Sequence, residues 1–149
     1  MLIQVLRPLF ARDLAKLRNE IALYKSEEKI WVVDASIPNS AGNLCLHLVG
    51  NLNTYIGAEL GKTSYIRHRD LEFSLKDVPR EELLAKIDDT ALVVDAVLAV
   101  LTNEQLAEEY PLEVFAGKTM TTGYYLAHLA MHLSYHLGQV NYHRRLLDK

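Results

Sequence analysis

The sequence has a single cysteine in 149 residues, Cys45. An internal disulfide is therefore excluded, and the thiol reads as a small buried hydrophobe rather than a reactive group. Long apolar runs are missing too. The most hydrophobic stretch, Ala91 to Leu101, is short and contains Asp95, whereas a membrane span needs roughly 18 uninterrupted apolar residues. No membrane partner is expected. Positive charge is not in excess either: 16 Lys and Arg stand against 19 Asp and Glu, for a net charge of -3. The one basic pair of note, Arg144 and Arg145, sits at the far end, so the chain lacks the electrostatic footprint of a nucleic-acid binder. The opening MLIQVLRPLF runs straight into charged residues without the apolar segment and cleavage site of a signal peptide. Together with the lone thiol this suggests a reducing cytoplasm. Internal repeats and low-complexity tracts are absent.

What is present is a foldable mixture. Half the residues are hydrophobic and 23% are charged, enough apolar surface to offset the entropy of ordering one domain over residues 1–149. Leu6, Phe10, Leu14, Leu17, Ile21 and Tyr24 recur at three- and four-residue intervals and predict an amphipathic helix from Leu2 to about Glu27. Pro8 marks its start or bends its first turns. Between Glu28 and Ser40, Ile30, Val32 and Val33 suggest extended structure. The Asn39-Ser40 pair then caps a second helix, about Ala41 to Leu60, with Gly61 placed to end it. Lys62 to Val78 shows no sustained period and reads as a long connection. Pro79, Arg80, Glu81 and Glu82 open a third helix to about Leu101, with carboxylates near the positive end of its dipole. Thr102 caps a short turn through Glu109; Pro111, Val114, Phe115 and Gly117 suggest a short strand or hairpin. Thr121 or Thr122 caps a last helix to about Leu147. The economical packing of these segments is an all-α four-helix bundle, and its long connections imply at least one crossover.

Four of the six histidines crowd the last helix. At about 100° per residue, His128, His132, His136 and His143 fall within an arc of roughly 80°, which also holds Gln139. A His-x3-His pair stacks two imidazoles one turn apart, where both can reach one metal ion; His128/His132 and His132/His136 each satisfy this. Two ligands bind weakly, so a third is required from elsewhere, and His47, amid the leucines of the second helix, is the candidate. His143 and the loop residue His68 read as non-ligands, the first near a fraying terminus and the second solvated. Asp95 is placed on the wet side of its helix without a role. There is no His-Glu-x2-His, so a zinc-protease pattern is absent. Gly57-Ala-Glu-Leu-Gly61-Lys62-Thr63 is one residue short of a phosphate loop and follows no strand; it reads as a helix stop.

The segment His128-Leu-Ala-Met-His132-Leu-Ser-Tyr-His136-Leu-Gly-Gln139-Val resembles the closing helix of the DinB/YfiT-like superfamily, whose signature is a His-x3-His pair running into Arg-Gly-Gln. Gly42-Asn43-Leu44-Cys45-Leu46-His47-Leu48-Val49-Gly50-Asn51-Leu52 is similar to the segment that supplies that family's first histidine. The resemblance implies that His47, His132 and His136 hold one divalent metal ion, often zinc or nickel in the family, and that His128 is a neighbour of the site. It implies a bundle that commonly forms a homodimer. Some members are thiol S-transferases that use a low-molecular-weight thiol such as bacillithiol or mycothiol. Leu137 stands where many members carry arginine, so any anion or cofactor contact made by that arginine is not carried over.

Three neutral imidazoles leave a divalent ion its full charge and an open position, the catalytic rather than the structural pattern. A thiol or water entering there would lose a proton near neutral pH, which suits a metal-dependent thiol S-transferase or a hydrolase acting on a small-molecule substrate. Gln139, Asn51, Tyr135 and Tyr142 are candidate pocket or supporting residues, Asn51 because it lies one turn after His47. The alternatives are a non-catalytic bundle whose histidines form a hydrogen-bonded polar seam, and a metal-dependent sensor or dimerisation module without turnover.

Overall fold

The computed structural model describes residues 2–149 and is a helical bundle of six α-helices, with no strand among the described residues. Helix α1 (Leu2–Ala22) buries Leu6, Phe10, Leu14, Leu17 and Ile21, the predicted stripe. Pro8 lies inside it without interrupting it, where the missing N–H forgoes one backbone bond. A 3-10 turn, Glu27–Trp31, replaces the extended structure expected around Ile30. A strand would send Ile30 and Trp31 to opposite faces, whereas both are buried here.

Helix α2 (Ala41–Leu52) is buried at every position. The Ser40 hydroxyl caps it, accepting from the Asn43 backbone N–H at 3.1 Å. It continues into a π-helical turn, Asn53–Ala58, so the rod reaches nearly to the predicted end. At Gly61 a Cβ would collide with Val97, which is why glycine suits the close approach there. The connection that follows contains a helix absent from the sequence prediction, α3 (Arg69–Ser74). Helix α4 (Arg80–Val100) begins after Pro79 with Glu81 and Glu82 in its first turn. Helix α5 (Asn103–Ala107) carries a capping box between Thr102 and Gln105. The hairpin expected after Pro111 is reduced to isolated bridges, Phe115 with Lys118 and Glu109 with Thr121. Helix α6 (Thr122–Leu147) is capped by the Thr121 side chain.

Helix α1 packs against α4 and α6, and α2 packs against the same two, while α3 lies on α2 and α5 on α6. Consecutive helices α1 and α2 thus face each other across the bundle, and the segment joining them crosses it, as the long connections implied. Cys45 is in the core, and burial pushes its thiol up to about 12. Asp95 is exposed as expected, paired with Arg7 of α1. No helix among the described residues is long and apolar enough to cross a membrane.

Candidate metal centre

The packing of α2 against α6 brings two histidine-bearing rods face to face. His47 Nε2 lies 3.2 Å from His132 Nε2, and His136 Nε2 lies 3.1 Å from the same atom. One nitrogen from each of the three rings falls within 4.8 Å of the others. Within α6 the two imidazoles lie one turn apart but meet edge to face, centroids 4.5 Å apart, rather than stacked; the third ring is aimed at them by α2.

Each ring's second nitrogen shows what the first can do. Glu72 Oε1 lies 3.0 Å from His47 Nδ1. A carboxylate only accepts, so Nδ1 carries the hydrogen and Nε2 keeps a bare lone pair. The Arg67 guanidinium approaches Nδ1 to 3.5 Å, but the closer carboxylate decides the tautomer. Gln139 Oε1 accepts from His136 Nδ1 at 2.6 Å, with the same result for that ring. Two lone pairs therefore point at His132 Nε2, which could donate to only one of them. His132 Nδ1 is buried and has no hydrogen-bond partner among the described residues.

This is a poor hydrogen-bonded seam and a good cation cradle. A tetrahedral ion with nitrogens at about 2.0–2.1 Å sets them about 3.3 Å apart along each edge, close to the two separations observed. Burial first, then the neighbouring His136, His47 and His128 rings, lowers His132 to about 4, and burial also lowers His136 despite its bond to Gln139. Both rings are neutral near pH 7, as a metal ligand must be. Burial alone would raise Glu72, but its bonds from Arg67 and His47 outweigh that and hold its carboxyl below the usual range. His47 is buried, while His132 and His136 are only partly so, which leaves one side of the cluster open.

A family model described as the DinB superfamily matches residues 12–140. The chain belongs to the DinB superfamily. No curated protein matches the sequence.

The remaining candidates of this DinB chain are distributed around the three rings. His128 stays outside the group: its ring stacks on Tyr125 at 5.7 Å, meets Phe115 edge-on at 5.0 Å, and lies 6.4 Å from the His132 ring. Tyr135 is exposed and packs its ring against His136 at 5.3 Å. Asn51 is buried one turn after His47, but Glu72 orients that ring; Asn51 Oδ1 has no partner among the described residues. Leu137 is partly buried and packs against the core. His143 is not at a fraying end. It is buried, its Nε2 donating to the Val32 carbonyl at 2.8 Å and its Nδ1 accepting from the Tyr24 hydroxyl at 2.7 Å. It ties α6 to the segment after α1. His68 is exposed at the start of α3, and Tyr142 is exposed under Arg145.

Three contributors were not singled out from the sequence: Glu72, Arg67 and Phe73. Arg67 donates to both Glu72 oxygens, at 2.7 and 2.8 Å, and lies 5.6 Å over the Tyr55 ring. The Phe73 ring sits 5.1 Å from that of His47. The signal available was an Arg and a Glu five residues apart in a segment too polar to need either for solubility alone. A cavity of about 650 Å³ between the Phe115–Thr121 segment and Tyr124 is not lined by any of the three histidines.

Proposed function

We propose that the chain is a single-domain divalent-metal protein, with zinc or nickel held by His47, His132 and His136, that acts on a small molecule as a thiol S-transferase or a hydrolase. The observation that carries this reading is the convergence of three Nε2 atoms, two of them fixed as lone pairs by Glu72 and Gln139. When bound, a divalent ion on three neutral imidazoles retains its charge and an open position, and so lowers the pKa of an entering thiol or water. The protein's own part is to hold the rings. Glu72 fixes His47 from α3, Gln139 fixes His136 from within α6, and Phe73 and Tyr135 flank the cluster with aromatic surface. The partial exposure of His132 and His136 gives a low-molecular-weight thiol a way in. A polar seam would pair each of its nitrogens, whereas His132 Nε2 can donate to only one of the two lone pairs that face it, and this favours the metal reading.

The test is metal content. Purified protein equilibrated with zinc or nickel and then desalted is expected to retain one equivalent, His132→Ala to retain almost none, and His128→Ala to match the parent. A parent protein that retains well under one equivalent, or a His128→Ala loss equal to that of His132→Ala, would remove the basis for the assignment.

The proposal includes a homodimer. Tyr124, Met131, Tyr135 and Tyr142 of α6 are each more than 60% exposed, and their spacing places them on one stripe about 40° wide. The stripe is symmetric about Leu133, a pattern that a two-fold axis would match against a second copy of itself.

A further inference from the structure

We infer that Glu72 is the positioning residue for His47, setting which of its nitrogens faces the cluster, and that Gly50 is the glycine that makes room for it; this rests on reading the cluster as a metal centre. The short helix α3 is held on α2 for this purpose by Asn43, whose Nδ2 donates to the Glu72 carbonyl at 3.0 Å and to the Leu75 carbonyl at 2.8 Å. The carboxylate this presents is buried. It accepts three N–H groups at once: Arg67 Nε on Oε2, and Arg67 Nη2 and His47 Nδ1 on Oε1. Only a carboxylate has the two acceptor oxygens this needs; a glutamine at the same place offers one oxygen and two further N–H groups. Across from it, a Cβ on Gly50 would collide with Glu72 Oε2, so any larger residue there displaces the carboxylate.

A structural account of the same pair is that Arg67 and Glu72 merely pin α3, with the contact to His47 incidental. The two accounts separate in the metal-free protein. If Glu72 positions His47, nitrogen chemical shifts should report His47 in the Nδ1–H form in the parent and a move toward Nε2–H in Glu72→Ala. They separate again in zinc affinity, measured by competition with a chromophoric chelator. Losing the acceptor behind a ligating histidine weakens metal binding by roughly 10-fold or more, and Glu72→Gln should show this because its single oxygen is drawn to Arg67. Adding Arg67→Met frees that oxygen for His47, so the double variant should bind zinc more tightly than Glu72→Gln alone, whereas a purely structural pair would make it no better. Gly50→Ala, which leaves Glu72 in the sequence but moves its carboxylate, should weaken zinc in the same direction and covers the case in which a Glu72 variant folds poorly. An unchanged tautomer in Glu72→Ala, or zinc affinity within twofold of the parent in folded Glu72→Gln, would overturn the inference. A parent protein that binds no zinc while His47 still reports Nδ1–H would instead overturn the metal reading, and the role in metal binding with it.

Discussion

An imidazole presents two nitrogens, and the partner of one decides whether the other can donate electrons or a proton. That rule turns His47 and His136 into inward lone pairs and has a second consequence, in acid. Burial first, with like neighbours adding, lowers His132 from 6.5 to about 4; burial lowers His136 and His143 in the same direction. In the unfolded chain these rings take up protons near pH 6.5, before the folded ones do, so stability is full above that pH and is lost as pH falls from 6.5 toward 4. The His132 shift on a fully buried ring would be worth roughly 3 kcal/mol; screening at its open face reduces that to about 1–2 kcal/mol. The thermal midpoint of metal-free protein should therefore fall between pH 7 and 5, above the range where Glu72 and Glu20 protonate, and His132→Asn should flatten the fall. A midpoint that is level across that interval would show that these rings are not desolvated. The choice of rings was partly legible in the sequence: periodicity placed four histidines on one arc but could not separate His128/His132 from His132/His136. What separates them is that Phe115, from the segment before α6, meets the His128 ring edge-on, a contact between segments that spacing along one helix does not encode.

Among the elements, α3 departs most from expectation and matters most to the site. With six residues it is too short to show a helical period and too short to be stable alone. It exists because Asn43 satisfies the carbonyls of Glu72 within it and of Leu75 at its end, and because Glu72 is neutralised by Arg67. Asn43→Ala leaves the carbonyl of buried Glu72 unpartnered, while that of exposed Leu75 turns to water, at a cost of about 1–3 kcal/mol. Hydrogen exchange should then accelerate over residues 69–75 while α4 keeps its protection; uniform acceleration across the chain would mean that α3 has no separate stability to lose. The long helices, by contrast, were readable. Helices α4 and α6 carry openings or caps that mark their ends to within a few residues, and the Ser40 cap located the start of α2, but α1 stops at Ala22 rather than near Glu27, because the chain there turns into the 3-10 segment that buries Ile30 and Trp31. The 3-10 turn at Ile30 and the π-helical turn after Leu52 were not, because both follow from what the neighbouring rods require of a few apolar side chains rather than from a repeating local pattern.

For the whole molecule, the proposed function asks α6 to serve two purposes on two adjoining faces. The centre of the exposed stripe and the direction of His132 and His136 differ by roughly a quarter turn around the helix axis, so a second copy seated on the stripe leaves the histidines reachable. Four side chains about two-thirds exposed offer roughly 500 Å² from aromatic and methionine surface, less than the roughly 800 Å² per partner of a standard interface. The dimer should accordingly depend on concentration. Sedimentation at tens of micromolar is expected to give a dimer that dissociates on dilution, and Met131→Glu combined with Tyr142→Glu, two carboxylates on either side of the symmetry point, should give a monomer with unchanged helix content that still retains zinc. Because the two faces share only Tyr135, removing metal with chelator should leave the parent's association unchanged. A chelator-induced change in assembly would favour the sensor module instead, and a parent that remains monomeric at high concentration would show that the stripe does not meet a second copy.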